Sequence, residues 1–314
     1  MTLLYGRRLG LAFADKEGKA LDVSQLQVQF SVSAFDLQTP CSADIRIFNV
    51  ADATALKMTK EFTRIILQAG YGDLFGTIFD GTIVQTRRGR TNPVDTYVDV
   101  TAGDGDLAHN FAVVNTTIAA GATPNDRCQA LLASLKPHGV TAGTAPNLVG
   151  PALPRGRVFY GMVRDHLRDL AQATDTVWNI RDGKLEFTSH NGYSPCEAVV
   201  LTPATGLVGL PQQTQDGIMV RSLLNPLYKV GGRVQLMNSS IQQLRLPVEF
   251  QSGDKVVDYR NKALVPTLDG QGIYRILAVN HSGDSRGQPW YSDLECVALD
   301  GTVPVSQVQK RGAA

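Results

Sequence analysis

The run His281-Ser282-Gly283-Asp284 contains the three residue types of a serine-hydrolase triad. A triad brings its nucleophile, base and carboxylate together from different elements, whereas these residues are consecutive and belong to one turn. No Gly-x-Ser-x-Gly elbow is predicted between a strand and a helix, and no phosphate-binding loop of the Gly-x4-Gly-Lys-[Ser/Thr] type occurs. A pair of carboxylates suited to glycoside cleavage would leave no mark in the sequence, because only their separation in space identifies it. We therefore assign no catalytic residue.

The run Gly103-Asp104-Gly105-Asp106 has the composition of a calcium-loop start. The fifth and twelfth positions of such a loop need a ligand oxygen and a bidentate acid, but Ala108 and Asn115 stand there. We predict a plain turn. The five histidines do not pair at metal-ligand spacing, so we expect no zinc site and no cofactor. They are His109, His138, His166, His190 and His281.

Charge and cysteine usage exclude further classes of protein. The formal net charge is +1 and the pI about 7.7, which gives no electrostatic argument for binding nucleic acid or an acidic membrane surface. No run of ~18 apolar residues occurs, so we expect no membrane span. The four cysteines form no Cys-x-x-Cys pair, which predicts reduced thiols in a chain that folds in a cytoplasm. They are Cys41, Cys128, Cys196 and Cys296.

The densest basic cluster is Arg87-Arg88-Gly89-Arg90. Such a cluster is typical of a solvated hairpin tip, and the alternative is a contact with nucleic acid or with an acidic partner surface. Trp290 leads a predicted strand and is expected in the core or at a barrel rim rather than in a ligand site.

The elements that would position these residues are mainly strands. In residues 26–33 every even position is apolar and every odd position polar, which predicts a half-buried strand. Frequent strands with one polar face each, separated by Gly, Asn and Asp turns, favour a small antiparallel barrel or sandwich. Further strands are predicted at 43–50, 64–69, 77–86 and 96–102, and later at 218–224, 233–237, 272–280 and 291–299.

The middle of the chain predicts a small α+β unit. Thr123-Pro124 is a helix start, apolar residues recur at helical spacing, and Pro137 ends the helix. A second helix is expected over 161–174. Asp182-Gly183 lies between alternating apolar residues, which is a strong hairpin pattern.

The two ends of the chain resemble each other. The segment 76–105 matches 272–301 in length, in its Ile-aromatic first strand and in its Tyr-led last strand. Shorter matches pair 46–50 with 222–226 and 64–67 with 233–236. These matches favour a duplicated barrel with an insert between the copies. The alternative is that both segments only show the succession of strands and turns that all small antiparallel barrels share. Asn225-Pro226 would end a strand in the second copy, and Gly231-Gly232 would allow the return into the next one.

The run TGLVGLPQQTQDGIMVRSLLNPLYKVGGRVQL, residues 205–236, resembles the start of the second barrel in the tail hub proteins of tailed bacteriophages. YRILAVNHSGDSRGQPWYSDLECVAL, residues 274–299, is similar to the closing hairpin of that family. ADIRIFNVADAT and LQAGYGDLFGTIFDGTI resemble the first barrel. AAGATPNDRCQALLASL and WNIRDGKLEF resemble the middle segment. The resemblance covers roughly residues 25–300, and the order of the motifs carries it.

The resemblance implies a mainly β fold with a small α+β insert and two similar antiparallel, tail-tube-like β-barrels. The expected domains are a first barrel over 1–117, an α+β middle domain over 118–205, a second barrel over 206–302 and a polar tail over 303–314. The implied interface or structural residues are Asn225, Pro226, Gly231, Gly232, His281, Gly283, Asp284 and Trp290. Arg87, Arg88 and Arg90 would form a basic turn that contacts a partner.

The resemblance also implies a homotrimer, whose six barrels would form a pseudo-sixfold ring that encloses a DNA channel. Its partners would be the tail tube protein or another ring protein above, the spike or tail-tip protein below, baseplate proteins around it and the tape-measure protein. DNA would be passing cargo only. A closed ring needs a heterologous interface whose rotation closes. Such a virion component would be assembled in the bacterial host cytoplasm and would not be an enzyme.

Three alternatives remain open in the sequence. The first is an all-β cell-wall-degrading hydrolase with an unmarked carboxylate pair, and the second is a carbohydrate-binding tail module. The third is a hub-like component of a contractile secretion system, which the sequence separates poorly from a phage hub.

Overall fold

The computed structural model describes residues 5–15, 19–36, 39–145, 148–189, 192–194, 196–214, 217–242 and 272–298. Within these residues the chain is mainly β, with one large and mostly antiparallel sheet and few helices. The expected mainly β fold is therefore confirmed. The predicted tail over 303–314 lies outside the described residues.

The first half of the chain forms an antiparallel sheet in the order β3-β4-β7-β6-β5-β1-β2. Buried residues from all of these strands except β2 join one hydrophobic cluster, and Leu21 of β2 packs against it, so the sheet curls around a single core. The elements are β1 (Arg7–Ala14), β2 (Ala20–Asp22), β3 (Val28–Phe35), β4 (Ser42–Phe48), α1 (Asp52–Lys60), β5 (Arg64–Tyr71), β6 (Leu74–Arg90) and β7 (Thr96–Gly103).

The middle of the chain has its own hydrophobic cluster. Thr123 caps α3 reciprocally with Asp126, and Pro124 occupies the first turn, so the predicted helix start is found. The elements are α2 (Asp106–Phe111), β8 (Val113–Ile118), α3 (Pro124–Leu135), β9 (Thr141–Ala142), β10 (Arg157–Met162), α4 (Val163–Ala173), β11 (Thr176–Arg181) and β12 (Lys184–Ser189), with a 3-10 turn at Lys136–His138.

The second half surrounds a third cluster. Its strands are β13 (Val199–Leu201), β14 (Leu207–Gln213), β15 (Ile218–Leu223), β16 (Arg233–Leu236), β17 (Ile273–Asp284) and β18 (Trp290–Ala298), with 3-10 turns at Pro203–Thr205 and Asn238–Ser240. Strands β14, β15, β18, β17 and β16 pair in this order, each antiparallel to its neighbour.

The two halves have the same five-strand order. The path β3-β4-β7-β6-β5 corresponds to β14-β15-β18-β17-β16, and every pair in both paths is antiparallel. Each long hairpin also carries one bulge, after Ile83 in β6 and after Ile276 in β17. The similarity of the two halves that the sequence indicated is therefore present in the topology.

The residue alignment behind that prediction needs correction. The registers place Asp99 opposite Arg46 and Asp293 opposite Arg221, so Arg46 corresponds to Arg221, whereas the sequence match paired Arg46 with Ser222. A one-residue slip exchanges the two faces of a strand, and Ser222 is fully buried. The match of Arg64 with Arg233 holds in the registers.

Several elements differ from the sequence prediction. Helices α1 and α2 were not predicted, because each is short and neither has a side-chain cap. Strand β6 runs to Arg90 rather than ending at 86, so the basic cluster lies in a strand and not at a hairpin tip. The domain boundaries at 117, 205 and 302 stay predictions. No helix in the described part of the chain is long and apolar enough to span a membrane.

Candidate functional site

The candidate site is the junction at which the two halves and the middle segment meet. Strand β17 of the second half pairs directly with β3 of the first half, from Ala278 opposite Phe35 to Asp284 opposite Gln29. The two half-sheets are therefore one continuous sheet. Leu224 and Trp290, which belong to the second half by sequence, lie in the hydrophobic cluster of the first half.

Asn225 and Pro226 lie at this junction. The Asn225 side chain accepts a hydrogen bond from the Leu227 amide at 2.9 Å and closes the turn after β15. Pro226 faces Gly76 of β6, where an added Cβ would stand 3.2 Å from the proline ring. The stretch therefore ends a strand, as predicted, and also joins the second half to the first.

Gly231 and Gly232 lie where the chain turns back into β16. Gly231 has a φ of +78°, a conformation that favours glycine, and its amide donates to the Ile276 carbonyl at 2.8 Å. A Cβ on Gly232 would lie 2.8 Å from the Lys229 carbonyl oxygen. The loop between them and Pro226 lines a cavity of about 280 Å³ between the halves.

Buried charges tie all three parts together at this cavity. Asp36, after β3, forms an ion pair with Arg275 of β17 and lies 3.6 Å from Arg181 of β11. Arg181 donates to the Val230 carbonyl at 2.7 Å. Arg275 also donates to the Ser189 carbonyl at 3.1 Å. Nothing local in the sequence marks this network, because its members contact one another across 49 to 239 positions.

Asp104 connects the first half to the middle segment. Its carboxylate accepts hydrogen bonds from the amides of Asp182 at 2.6 Å and Gly183 at 3.3 Å. Burial raises the pKa of Asp104 to about 7, and these two hydrogen bonds only partly offset that rise. The predicted plain turn therefore carries a buried acid, which receives the tip of the Asp182-Gly183 hairpin.

His281 and Asp284 do not form a catalytic pair. His281 is buried and lies 2.7 Å from the Ser292 hydroxyl, and burial lowers its pKa to about 4. Burial raises the pKa of Asp284, but hydrogen bonds outweigh it and keep the pKa below its usual range. The principal donor is Gln29, at 2.9 Å. Both residues therefore hold strands together.

The residues from Gly283 to Gly287 spell Gly-x-Ser-x-Gly. They lie in the turn between β17 and β18, with no helix following, and the Ser285 hydroxyl accepts the Val28 amide at 2.9 Å. This serine is therefore tied to the first half and is not on a nucleophile elbow.

Trp290 and Gly283 form the tightest packing at the junction. The Trp290 ring meets Phe30 edge-on, with centroids 5.4 Å apart, and is fully buried. A Cβ on Gly283 would lie 2.4 Å from the Phe30 ring. Only glycine at position 283 lets β17 approach Phe30 and Trp290 this closely. Trp290 lies in the core, as expected.

The three arginines of the basic cluster do not share one face of their strand. Side chains alternate along a strand, so Arg87 points to one face of β6 and Arg88 and Arg90 to the other. Arg88 forms an ion pair with Asp52 at the start of α1. Their role as a partner-contact turn stays a prediction.

The continuous sheet presents one polar face to solvent, opposite the cores. The cross-strand registers place its members side by side on seven adjacent strands, β15, β18, β17, β3, β4, β7 and the distal part of β6. We call this surface the polar face; its charged members are Asp44, Arg46, Arg87, Asp99, Arg221, Asp284, Asp293 and Glu295.

The polar face carries the same three-residue arrangement in each half. Arg46 donates from Nε and Nη2 to the two carboxylate oxygens of Asp99, at 2.6 and 2.9 Å, and lies 4.2 Å from the centre of the Tyr97 ring. Arg221 binds Asp293 in the same way, at 2.7 and 3.0 Å, and lies 5.7 Å from Tyr291. A sequence alignment shifted by one residue between β4 and β15 would have revealed this match.

No group of three or more His, Cys, Asp or Glu side chains in the described residues could hold a metal ion. The thiol of Cys41, beside the junction cavity, is buried, and burial raises its pKa to about 11.

No family model and no curated protein matches the sequence. Solved structures do match it. A tail protein from Neisseria meningitidis MC58 superposes with a TM-score of 0.58 over 96% of this chain and 98% of that chain, at 11% identity. The 43 kDa tail protein of prophage MuSo2 from Shewanella oneidensis gives 0.59 over 96% and 100%, at 8% identity.

A third structure is the E. coli c3393 protein, a component of the type VI secretion system that is described as structurally similar to the T4 bacteriophage tail proteins gp27 and gp5. It superposes with a TM-score of 0.54 over 94% of this chain and 78% of that chain, at 13% identity. This chain therefore has the fold of phage tail proteins and of that secretion component, as the resemblance implied.

Proposed function

We propose that the chain is a structural component of a phage tail or baseplate, a hub that trimerises into a pseudo-sixfold ring between the tail tube and the central spike. The shared fold supports a place in a tail, and the matched halves support the ring. A chain with two equivalent barrels supplies six similar units when three copies assemble around one axis.

The observation that carries the proposal is an open strand flank. In the second half, β17 has β18 on one side, while β16 and then β3 cover the other side. In the first half, β6 has β7 on one side, while β5 covers only residues 74–82 of the other. The remaining flank, 85–90, corresponds to the part of β17 that pairs with β3. No strand of the described chain covers it.

A groove meets this flank at Gln85 and Thr86. It has a volume of about 790 Å³; the consecutive residues 80–86 form its β6 wall, as expected of a strand edge, and the loop at Asp104, α2 and the middle segment contribute other walls. Val84, the bulge residue, is 58% exposed in it. Open edges attract other strands, and a second copy of the chain would repeat at this flank the pairing that β3 makes with β17.

The terminal strand of the sheet supplies the complementary element. β14 corresponds to β3 and ends the strand path, and Gln242 bridges to it at Gln212. A ring in which β14 of one copy approaches β6 of the next would give all six junctions one geometry. The channel would then carry DNA, the tube or another ring protein would dock above, and the spike below, with baseplate and tape-measure contacts.

The mass of the assembled species tests this function. We expect a trimer, by native mass spectrometry or light scattering, for the chain alone or with its spike partner, and a central hole in low-resolution images. Val84→Asp places a charge in the groove and should reduce the trimer fraction at least about tenfold, because a desolvated unpaired charge costs several kcal/mol.

Val149→Asp is the matched control, because Val149 is 76% exposed in the middle segment, away from the groove. Its trimer fraction should equal that of the wild type. A folded chain that stays monomeric with its spike partner, or equal effects of the two substitutions, would contradict the proposal.

One observation favours a related function. The secretion component matches over most of its own length, so a hub in a contractile secretion system would use the same ring with a different cargo. Incorporation of the labelled chain into purified tails, rather than into secretion assemblies, separates the two.

A further inference from the structure

We propose that the polar face lines the channel, and that Asp99 and Asp293 keep this face from retaining nucleic acid by occupying Arg46 and Arg221. The inference rests on the ring proposed above and adds to it which face lies inward and which residues govern passage of the cargo.

The inward orientation of the polar face follows from the equivalence of the two halves. A pseudo-sixfold axis needs the same face from both halves, and the matched arginine, aspartate and tyrosine identify that face in each. The two faces also adjoin without a break, because Ser31 stands opposite Ser282 and Ser33 opposite Asn280 across β3 and β17. Depressions of about 630 and 450 Å³ lie at its two ends.

The positive charges of the polar face are offset by carboxylates. The face carries three arginines and five carboxylates, one of them the buried Asp284, so it is acidic despite its guanidinium groups. Between the two arginine pairs the hydroxyls of Ser31 and Ser33 also reach the Asn280 side chain, at 3.3 and 3.4 Å. The third arginine, Arg87, is exposed on β6 and pairs with no carboxylate among the described residues.

A free guanidinium fork binds phosphate through two parallel hydrogen bonds, which makes arginine the usual phosphate ligand. In Arg46 and Arg221 the Nε and Nη2 donors bind a carboxylate on the neighbouring strand, and that carboxylate offsets the guanidinium charge. A duplex that passes over this face therefore meets compensated charge at both positions, so it releases few counterions and gains little affinity.

The test removes the carboxylates without removing the arginines. Asp99→Asn/Asp293→Asn keeps the side-chain shapes and raises the formal net charge by two. We expect the full-length double variant to bind a short DNA duplex at least about tenfold more tightly than the wild type. The slope of log affinity against log salt should steepen by at least about 0.9, the value of one added phosphate contact.

A charge-matched control uses two ion pairs off the polar face. Arg157 binds Asp169 at 3.0 Å, and Arg168 lies 3.9 Å from Asp165, both in the middle segment. Asp165→Asn/Asp169→Asn raises the net charge by the same amount and should leave duplex affinity within about twofold of the wild type. Equal gains in the two double variants would show an effect of net charge alone and would overturn the proposal.

A second control removes the arginines as well. Adding Arg46→Gln and Arg221→Gln to the first double variant should return the affinity and the salt slope to the wild-type values, and a persistent gain would contradict the role of these forks. The mass of every sample is measured alongside. If the wild type never assembles, the proposed ring is refuted, whatever affinity for the DNA duplex is measured. If it assembles and the first double variant gains no affinity, the role of Asp99 and Asp293 fails and the ring stands.

Discussion

Asp36 and Arg275 stand 239 positions apart in the chain and form an ion pair in which each side chain is only 3% exposed. The pair joins the end of β3 to the start of β17, so it lies at the point where the two halves share a sheet. Arg181 of the middle segment approaches the same carboxylate. One acid thus connects three parts of the molecule.

Asp36→Asn should therefore destabilise the protein strongly. It removes the carboxylate that pairs with the buried Arg275 guanidinium, and breaking a buried ion pair costs about 3–5 kcal/mol of unfolding free energy. Asp99→Asn, at a pair whose arginine is 41% exposed, should cost less than about 1 kcal/mol. Urea unfolding of both variants measures the difference, and similar midpoints would contradict it.

Asp104 should make stability fall as the pH rises from about 4 to about 7. Burial raises its folded pKa to about 7 from an ordinary 3.8, so in this window the folded carboxyl keeps a proton that the unfolded chain releases. Asp104→Asn keeps an acceptor for the Asp182 amide and does not titrate. The difference in urea midpoint, wild type minus variant, should shrink across this range and then stay constant, and a difference that is flat from pH 4 to 7 would refute the assignment.

His281 should act in the opposite direction. Its folded pKa is lowered to about 4 from 6.5 by burial, so below pH 6.5 the unfolded chain gains a proton that the folded chain does not. Stability from this group is lost as the pH falls from 6.5 to 4, by up to about 3 kcal/mol. His281→Gln should be less sensitive to acid in this window. NMR titration of the His281 ring checks the pKa directly, and a value near 6.5 would remove the effect.

Gly283→Ala should destabilise the junction by about 1–3 kcal/mol, because the new methyl group would meet the Phe30 ring at 2.4 Å. Phe30→Leu makes room at that position but loses the edge contact with Trp290. The combined variant should therefore be more stable than the sum of the two single effects predicts. Thermal or urea unfolding of the four chains gives the coupling, and strict additivity would mean that the two residues do not meet.

Local patterns in the sequence determined most of the elements. Strand-like runs separated by turn residues predicted most strands of both halves but not β1, β2, β13 or β14; the clearest run was the alternation of apolar and polar residues at 26–33, because the side-chain period of a strand is two. Thr123-Pro124 gave the start of α3, and Asp182-Gly183 gave the hairpin of β11 and β12. Short helices without caps, such as α1, left no such pattern.

Only the tertiary structure decided how these elements align and which charges meet. The correspondence of Arg46 with Arg221 depends on the registers of β4 with β7 and β15 with β18, and burial against distant strands sets those registers. The pairing of β3 with β17, the uncovered flank of β6 and the contact of Asp36 with Arg275 are likewise long-range. The sequence by itself carries the local preferences of each segment, whereas the free energy that selects the partners arises only when segments hundreds of residues apart bury one another.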